Sequence, residues 1–223
     1  MAGDGATPRI AVLASGQGSN LQALLDACAD GRLHAAVVGV FSDRAGAPAL
    51  ARAEAAGVPA QSWSPADFAD RAAFDDAVFA AVAAARPDVV VCAGYMRLIG
   101  ADVVAPWQGR MVNIHPSLLP RFKGLRTHAR ALRAGARVHG ASVHFVTGDL
   151  DGGAVIAQAR VPVLAGDDVE ALAARVRGIE HALLVAATAL VCSGRAMLCD
   201  DRLHLDGAPA TAPLQLTAKG GFA

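Results

Sequence analysis

Aromatic side chains are scarce here, making up 4% of the 223 residues although 54% of the chain is hydrophobic. Ala-rich helices packed closely on a sheet suit that composition. Charge of one sign is lacking too: Lys+Arg and Asp+Glu number 20 each. That excludes a global basic field for nucleic acid or an anionic membrane and leaves only local anion sites. The four cysteines (Cys28, Cys92, Cys192, Cys199) form no CxxC pair, and no His-rich metal spacing accompanies them. No metal is expected, and Cys28 and Cys92 read as small core hydrophobes with reduced thiols. No apolar run reaches membrane-spanning length, and the N-terminus has no basic segment ahead of an apolar one. A cytoplasmic, membrane-free protein is the expectation.

Apolar runs without polar alternation begin at Arg9 to Ala14, Ala35 to Phe41 and Val89 to Ala93. Helical spacing separates them: Leu21, Leu24, Leu25 and Cys28 before Gly31, then Pro48 to Ala56, then an Ala-rich stretch ending before Pro87. Ser64-Pro65-Ala66-Asp67 reads as the N-cap of that third helix. Bare strands alternating with helices predict a doubly wound, mostly parallel α/β sheet covered on both faces. The pattern then changes. Ala141 to Val146 alternates, and Ala154 to Val163 follows an Asp-Gly turn, predicting an antiparallel addition in the C-terminal half. A long helix opens at Asp167 or Asp168, and a short strand or hairpin spans Arg195 to Asp206. There are no repeats and no linker, so residues 1–223 read as one domain, with 1–8 and about 208–223 as tails.

Met111 to Pro120 carries the candidate chemistry. It comes after a loop (Pro106 to Arg110) and begins as a buried strand, so Asn113 and His115, two apart, point to one face. Pro116 and Pro120 stop the strand and stiffen the segment beyond it. A carboxamide beside an imidazole suits a carbonyl oxygen becoming an oxyanion. Asp149-Leu150-Asp151-Gly152-Gly153 serves a plain hairpin turn equally well, but it has two acids where one suffices. A carboxylate near His115 would raise the imidazole pKa towards neutral pH and make it a proton donor. His144, on one face of an alternating strand, reads as structural; Lys123, Arg126 and His128 are either solvated or site-lining. After the first strand, Ser15-Gly16-Gln17-Gly18-Ser19-Asn20 forms a Gly-rich turn into a helix, a natural cradle for a terminal phosphate. Leu21 stands where the dinucleotide fingerprint wants Gly or Ala, and no Lys comes next as in a Walker loop. A tight turn with an N-cap accounts for the loop about as well.

Asn113-Ile114-His115-Pro116-Ser117-Leu118-Leu119-Pro120, with Gly124, His128, Gly140, Ser142, His144, Asp151-Gly152-Gly153 and Gln158, resembles the folate-dependent formyltransferases. The likeness runs from about Arg9 to the last helix. The Gly-rich loop and the chain length are similar to the branch that formylates glycinamide ribonucleotide in purine synthesis. The resemblance implies a Rossmann-like formyltransferase fold, a 10-formyltetrahydrofolate donor and a glycinamide ribonucleotide acceptor, with no metal. It assigns catalysis to Asn113, His115 and Asp151, and the ribonucleotide to Gly18, Ser19, Asn20 and Glu180. It assigns the folate to Arg71, Met96, Arg97, Leu98, Ile99 and Asn113. Two positions depart from the pattern: Arg177 stands in place of a glutamine, and Arg126 in place of a histidine.

The rivals are another amine acceptor (methionyl-tRNA or an amino sugar nucleotide), a formyltetrahydrofolate hydrolase, and a nucleotide-binding sensor. A transfer-RNA enzyme is expected to carry a basic C-terminal domain, whereas the basic residues from Gly194 to Ala223 are only Arg195, Arg202 and Lys219, apart from His204. A hydrolase is expected to carry a regulatory domain in front of the first strand. A sensor has no use for a tuned donor pair. Monomer and homodimer are both compatible with the sequence.

Overall fold

The run after Arg9 is a strand, β1 (Arg9–Leu13), and its side chains divide between two cores. Ile10 and Val12 join an apolar cluster with Leu21, Leu24, Leu172 and Leu183; Ala11 and Leu13 join Phe74, Val78, Val82 and Trp107. A central strand of a parallel sheet has no solvent face, hence the missing alternation. The computed structural model describes residues 6–217 and 220–222; the first five residues, part of the expected N-terminal tail, lie outside them.

The remaining strands are β2 (Ala36–Ser42), β3 (Ala60–Ser62), β4 (Val89–Cys92), β5 (Met111–His115), β6 (Val138–Phe145), β7 (Val155–Pro162), β8 (Ala196–Cys199), β9 (Arg202–Leu205), β10 (Ala208–Pro209) and β11 (Leu214–Gln215). The helices are α1 (Ser19–Ala29), α2 (Pro48–Ala55), α3 (Arg71–Ala84), α4 (Ala101–Val104), α5 (Thr127–Arg133) and α6 (Val169–Cys192). The main sheet has the order β11-β7-β6-β5-β4-β1-β2-β3. Strands β1 to β5 run parallel; β6 is antiparallel to β5, and β7 to β6. The expected mostly parallel sheet with an antiparallel addition is borne out. The chain leaves β1 for β2 and β3 on one side, then returns to β4 on the other. The β1/β4 boundary is therefore the switch point, where loops leaving the carboxyl ends diverge and open a crevice.

Several local expectations are corrected. Ser64 does not cap α3: Pro65–Asp67 is a separate 3-10 turn, and Asp70 caps the helix by accepting from the Ala73 N–H at 2.9 Å. Asp70 has two advantages over Ser64, a charge at the positive helix end and a position three residues before an open N–H. The segment before Met111 is partly helical, with α4 leading into a 3-10 turn at Ala105–Trp107. The stretch from 208 on, expected as a tail, instead supplies β10 and β11, and β11 pairs in parallel with β7. The Arg195 to Asp206 hairpin appears as β8 and β9. Among the described residues, no helix is long and apolar enough to cross a membrane.

Candidate active site

A cavity of about 530 Å³ opens at the carboxyl ends of β4 and β5, within the range of small-molecule sites. Asn113 and His115 stand on its wall, as their shared strand face requires, together with His144, Asp151, His128 and Met96 to Ile99. Met96, Leu98, Leu125 and Leu150 keep half or more of their surface exposed there. Exposed apolar side chains grouped at a cleft mark a binding surface.

On the wall, β6 lies antiparallel to β5 with Asn113 opposite His144 and His115 opposite Ser142. The turn after β6 returns Asp151, held at φ 47°, a conformation uncommon outside glycine. Asp151 Oδ2 lies 3.4 Å from His115 Nδ1 and accepts the Gly124 N–H at 2.7 Å; Oδ1 lies 3.6 Å from His144 Nε2. Burial raises the Asp151 carboxyl, but His144, the Gly124 N–H and His115 outweigh it and hold it at about 2. It is a carboxylate throughout the neutral range.

His115 Nε2 faces the Phe122 carbonyl at 3.1 Å, so both ring nitrogens meet acceptors. The expected rise in the His115 pKa is nonetheless reversed. Burial pushes the imidazole below its ordinary value, and the opposing pulls of the Phe122 carbonyl and Asp151 fall short, with His144 and Arg130 also lowering it. Desolvation wins because the residue is only 7% exposed, and a cation loses more hydration there than one carboxylate at 3.4 Å restores.

His144 is the functional candidate that sequence reasoning set aside as structural. Its Nδ1 faces the Phe145 carbonyl at 2.8 Å and so carries hydrogen, and Asn113 Nδ2 hydrogen-bonds its Nε2 at 3.1 Å. That bond orients the Asn113 amide and leaves its second N–H for the cavity. In the sequence His144 is one member of the motif; its role follows from cross-strand register, which requires knowing that β5 and β6 pair.

Three other motif residues act as scaffold. Ser142 Oγ donates to the Ser117 carbonyl at 2.7 Å and accepts the Leu119 N–H and Gln158 Nε2, each at 3.0 Å; Gln158 Nε2 also donates to the Leu119 carbonyl. These bonds clamp the segment after His115 onto β6 and β7. A pair of histidines lies beside them: His128 Nδ1 stands 3.2 Å from His139 Nε2, and burial holds His139 down at about 4.

The Gly18, Ser19 and Asn20 cluster is separate from the cavity lining. Gly18 has φ +72° and sits so close to α2 that a Cβ would meet Ala49 Cα at 2.7 Å. Arg52 braces the loop, donating to the Gln17 carbonyl and the Gln22 side chain. Asn20 Nδ2 donates to Glu180 Oε2 at 3.4 Å, its Oδ1 is buried without a partner, and burial raises the Glu180 carboxyl. The charge of Arg177 lowers the pKa of both Glu180 and His128, against and with the effect of burial respectively. Arg71 lines neither cluster; it lies half exposed at the start of α3, 3.9 Å from Asp75. Among the described residues, no group of three or more metal-capable side chains stands together.

The family model described as formyl transferase matches residues 8–188. The chain belongs to the formyl transferase family. It is 45% identical over 198 residues to phosphoribosylglycinamide formyltransferase of Escherichia coli (strain K12), covering 89% of this chain and 93% of that protein. It is also 45% identical over 192 residues to the trifunctional purine biosynthetic protein adenosine-3 of Drosophila melanogaster, covering 85% of this chain but 14% of that longer protein. The crystal structure of glycinamide ribonucleotide transformylase 1 from Symbiobacterium toebii superposes with a TM-score of 0.87 at 45% identity, covering 91% of this chain and 95% of that one. The expected formyl-transferring enzyme is borne out, and a formyl transferase family member implies a folate-type formyl donor.

Proposed function

We propose that this formyltransferase passes the formyl group of 10-formyltetrahydrofolate to the amine of glycinamide ribonucleotide, a step of purine biosynthesis in the cytoplasm. The observation that carries the reading is the convergence of Asn113, His115, His144 and Asp151, from three separate chain segments, on one cavity. The apolar mouth formed with Met96 and Leu98 fits the donor's flat rings, and Arg97 and Arg71 suit its carboxylates. Gly18, Ser19 and Asn20 at the N-terminus of α1, with Glu180 opposite, fit a ribonucleotide phosphate and hydroxyls.

The neutral amine attacks the formyl carbon. Asn113 offers its free N–H to the developing oxyanion, and His115 offers the ring N–H that rests on the Phe122 carbonyl in this structure. Negative charge at that oxygen favours the imidazolium, whose Nδ1–H Asp151 accepts while the Nε2–H turns from the Phe122 carbonyl to the oxyanion. A proton leaves the attacking nitrogen and one reaches the departing folate nitrogen, so the exchange balances without a covalent enzyme intermediate. Binding both substrates across one sheet edge supplies the orientation.

Asp151→Asn tests the coupling through its pH dependence. Asp151 raises the His115 pKa against the effect of burial, so its removal moves that pKa further down. Activity carried by the imidazolium is present below the His115 pKa and fades as pH rises through it, and in the variant the fading starts earlier. The variant-to-wild-type rate ratio is expected to fall as pH rises from about 5 to 7, through the lowered His115 range, and to level off above it; a ratio flat across that window would count against the coupling.

The reaction itself is tested by following absorbance of a formyl-folate donor with and without glycinamide ribonucleotide. Deformylation that needs the amine is the expected result. Amine-independent deformylation would point to a hydrolase, and no turnover with nucleotide binding intact would point to a sensor.

A further inference from the structure

The loop that leaves β4 is a strap pinned at both ends. Ser15 Oγ accepts the Met96 N–H at 2.9 Å, and Asp75 Oδ2 on α3 accepts the Gly100 N–H at 2.9 Å. Ile99 is buried in the core between these pins, whereas Met96 and Leu98 are 64% and 50% exposed and line the cavity. Arg97 lies across the Phe74 ring, 4.8 Å from its centroid, with its Nε buried and unpartnered.

Asp75 is an unusual residue to find under such a strap. Its side chain is 2% exposed, and its carboxylate receives one backbone N–H and stands 3.9 Å from Arg71 Nε. A buried carboxylate is tolerated when donors and cations surround it. Burial pushes this one up, while the Gly100 N–H, Arg71 and Arg97 push it back down. The Asp75 carboxylate therefore stands beside Arg71 and also fixes the end of the segment carrying Met96, Arg97 and Leu98. Without it, Arg71, exposed on the first turn of α3, has no ion partner among the described residues.

We infer that Asp75 is a positioning residue for the donor half of the site: it holds the Met96 to Gly100 strap and aims Arg71 and Arg97 without touching the substrate itself. The inference rests on the folate reading of the cavity. It assigns Asp75 to donor affinity, with no part in the chemical step or in acceptor binding.

Asp75→Asn separates charge from tether, because the amide oxygen still accepts the Gly100 N–H while the charge beside Arg71 is gone. Asp75→Ala removes both. Asp76→Asn, one residue on and exposed, is the control. Calorimetric titration of the whole protein with folinic acid reads donor affinity directly, and steady-state kinetics separates kcat from the two KM values. Expected for Asp75→Asn is about five- to tenfold weaker folinic acid binding and a matching rise in donor KM. The acceptor KM and the kcat at saturating donor stay within about twofold, and Tm is unchanged. Asp75→Ala weakens binding further, and Asp76→Asn leaves all values as in the wild type. Unchanged folinic acid affinity in Asp75→Asn, with wild-type binding intact, would overturn the inference alone. So would a lowered Tm with both KM values and kcat altered together, which marks a general structural role. No binding to the wild-type protein would remove the folate reading, and this inference with it.

Discussion

Replacing His115 with alanine will cut formyl transfer by about 10²–10³, roughly 2.7–4 kcal/mol of barrier, the usual cost of losing one oxyanion donor in a water-poor site. Nothing nearby replaces it. His144, on the same cavity wall, has Nδ1 committed to the Phe145 carbonyl and Nε2 to Asn113. Arg130 reaches the ring only as a distant charge. Substrate binding should survive, because the apolar mouth and the α1 cradle are untouched. The loss therefore falls on kcat, with both KM values within a few-fold of wild type. Single-turnover measurements with saturating donor and acceptor decide the matter: a rate within about tenfold of wild type, a difference of roughly 1.4 kcal/mol, would remove His115 from the chemistry.

The second large effect is on folding. Gly140 lies in β6 beside β7, and a Cβ there would stand 1.9 Å from the Ala159 carbonyl oxygen and 2.9 Å from Leu118 Cδ2. The closest comfortable C···O approach is about 3.3 Å, and the obstacle is backbone in a paired strand, which cannot turn aside. Gly140→Ala must open the β6/β7 ladder that also carries Ser142 and Gln158. We expect a loss of more than about 3 kcal/mol in urea unfolding, or failure to fold at all. Gly178→Ala in α6 is the counterpart. A Cβ there meets nothing within 4 Å, so it should gain about 0.5–1 kcal/mol from helix propensity. Equal stability of the two variants would show that the β6/β7 approach is looser than the structure has it.

Gly140 illustrates which parts of this protein were legible in advance. It stands out in the sequence only as one member of a motif, with no reason attached; the reason is the Ala159 carbonyl of the neighbouring strand, brought close from further along the chain. The clamp of Ser117, Ser142 and Gln158 is the same kind of fact. So is His144, whose role depends on lying opposite Asn113 across a strand pair. Asp75 gives no local signal at all, since on α3 it reads as one more acid among Ala-rich turns.

What the amino-acid order determined by itself is local. Runs without alternation specified buried parallel strands, helical spacing placed α1 and α6, and the two-residue step from Asn113 to His115 put both side chains on one face. Period and steric preference act over a few residues, so they can be read without coordinates. Tertiary structure alone decided which groups meet and what burial does to them. It placed Asp151 against His115 and then reversed the expected direction of the histidine's shift, because desolvation depends on everything packed around the ring, whereas the sequence displays only the partner's charge.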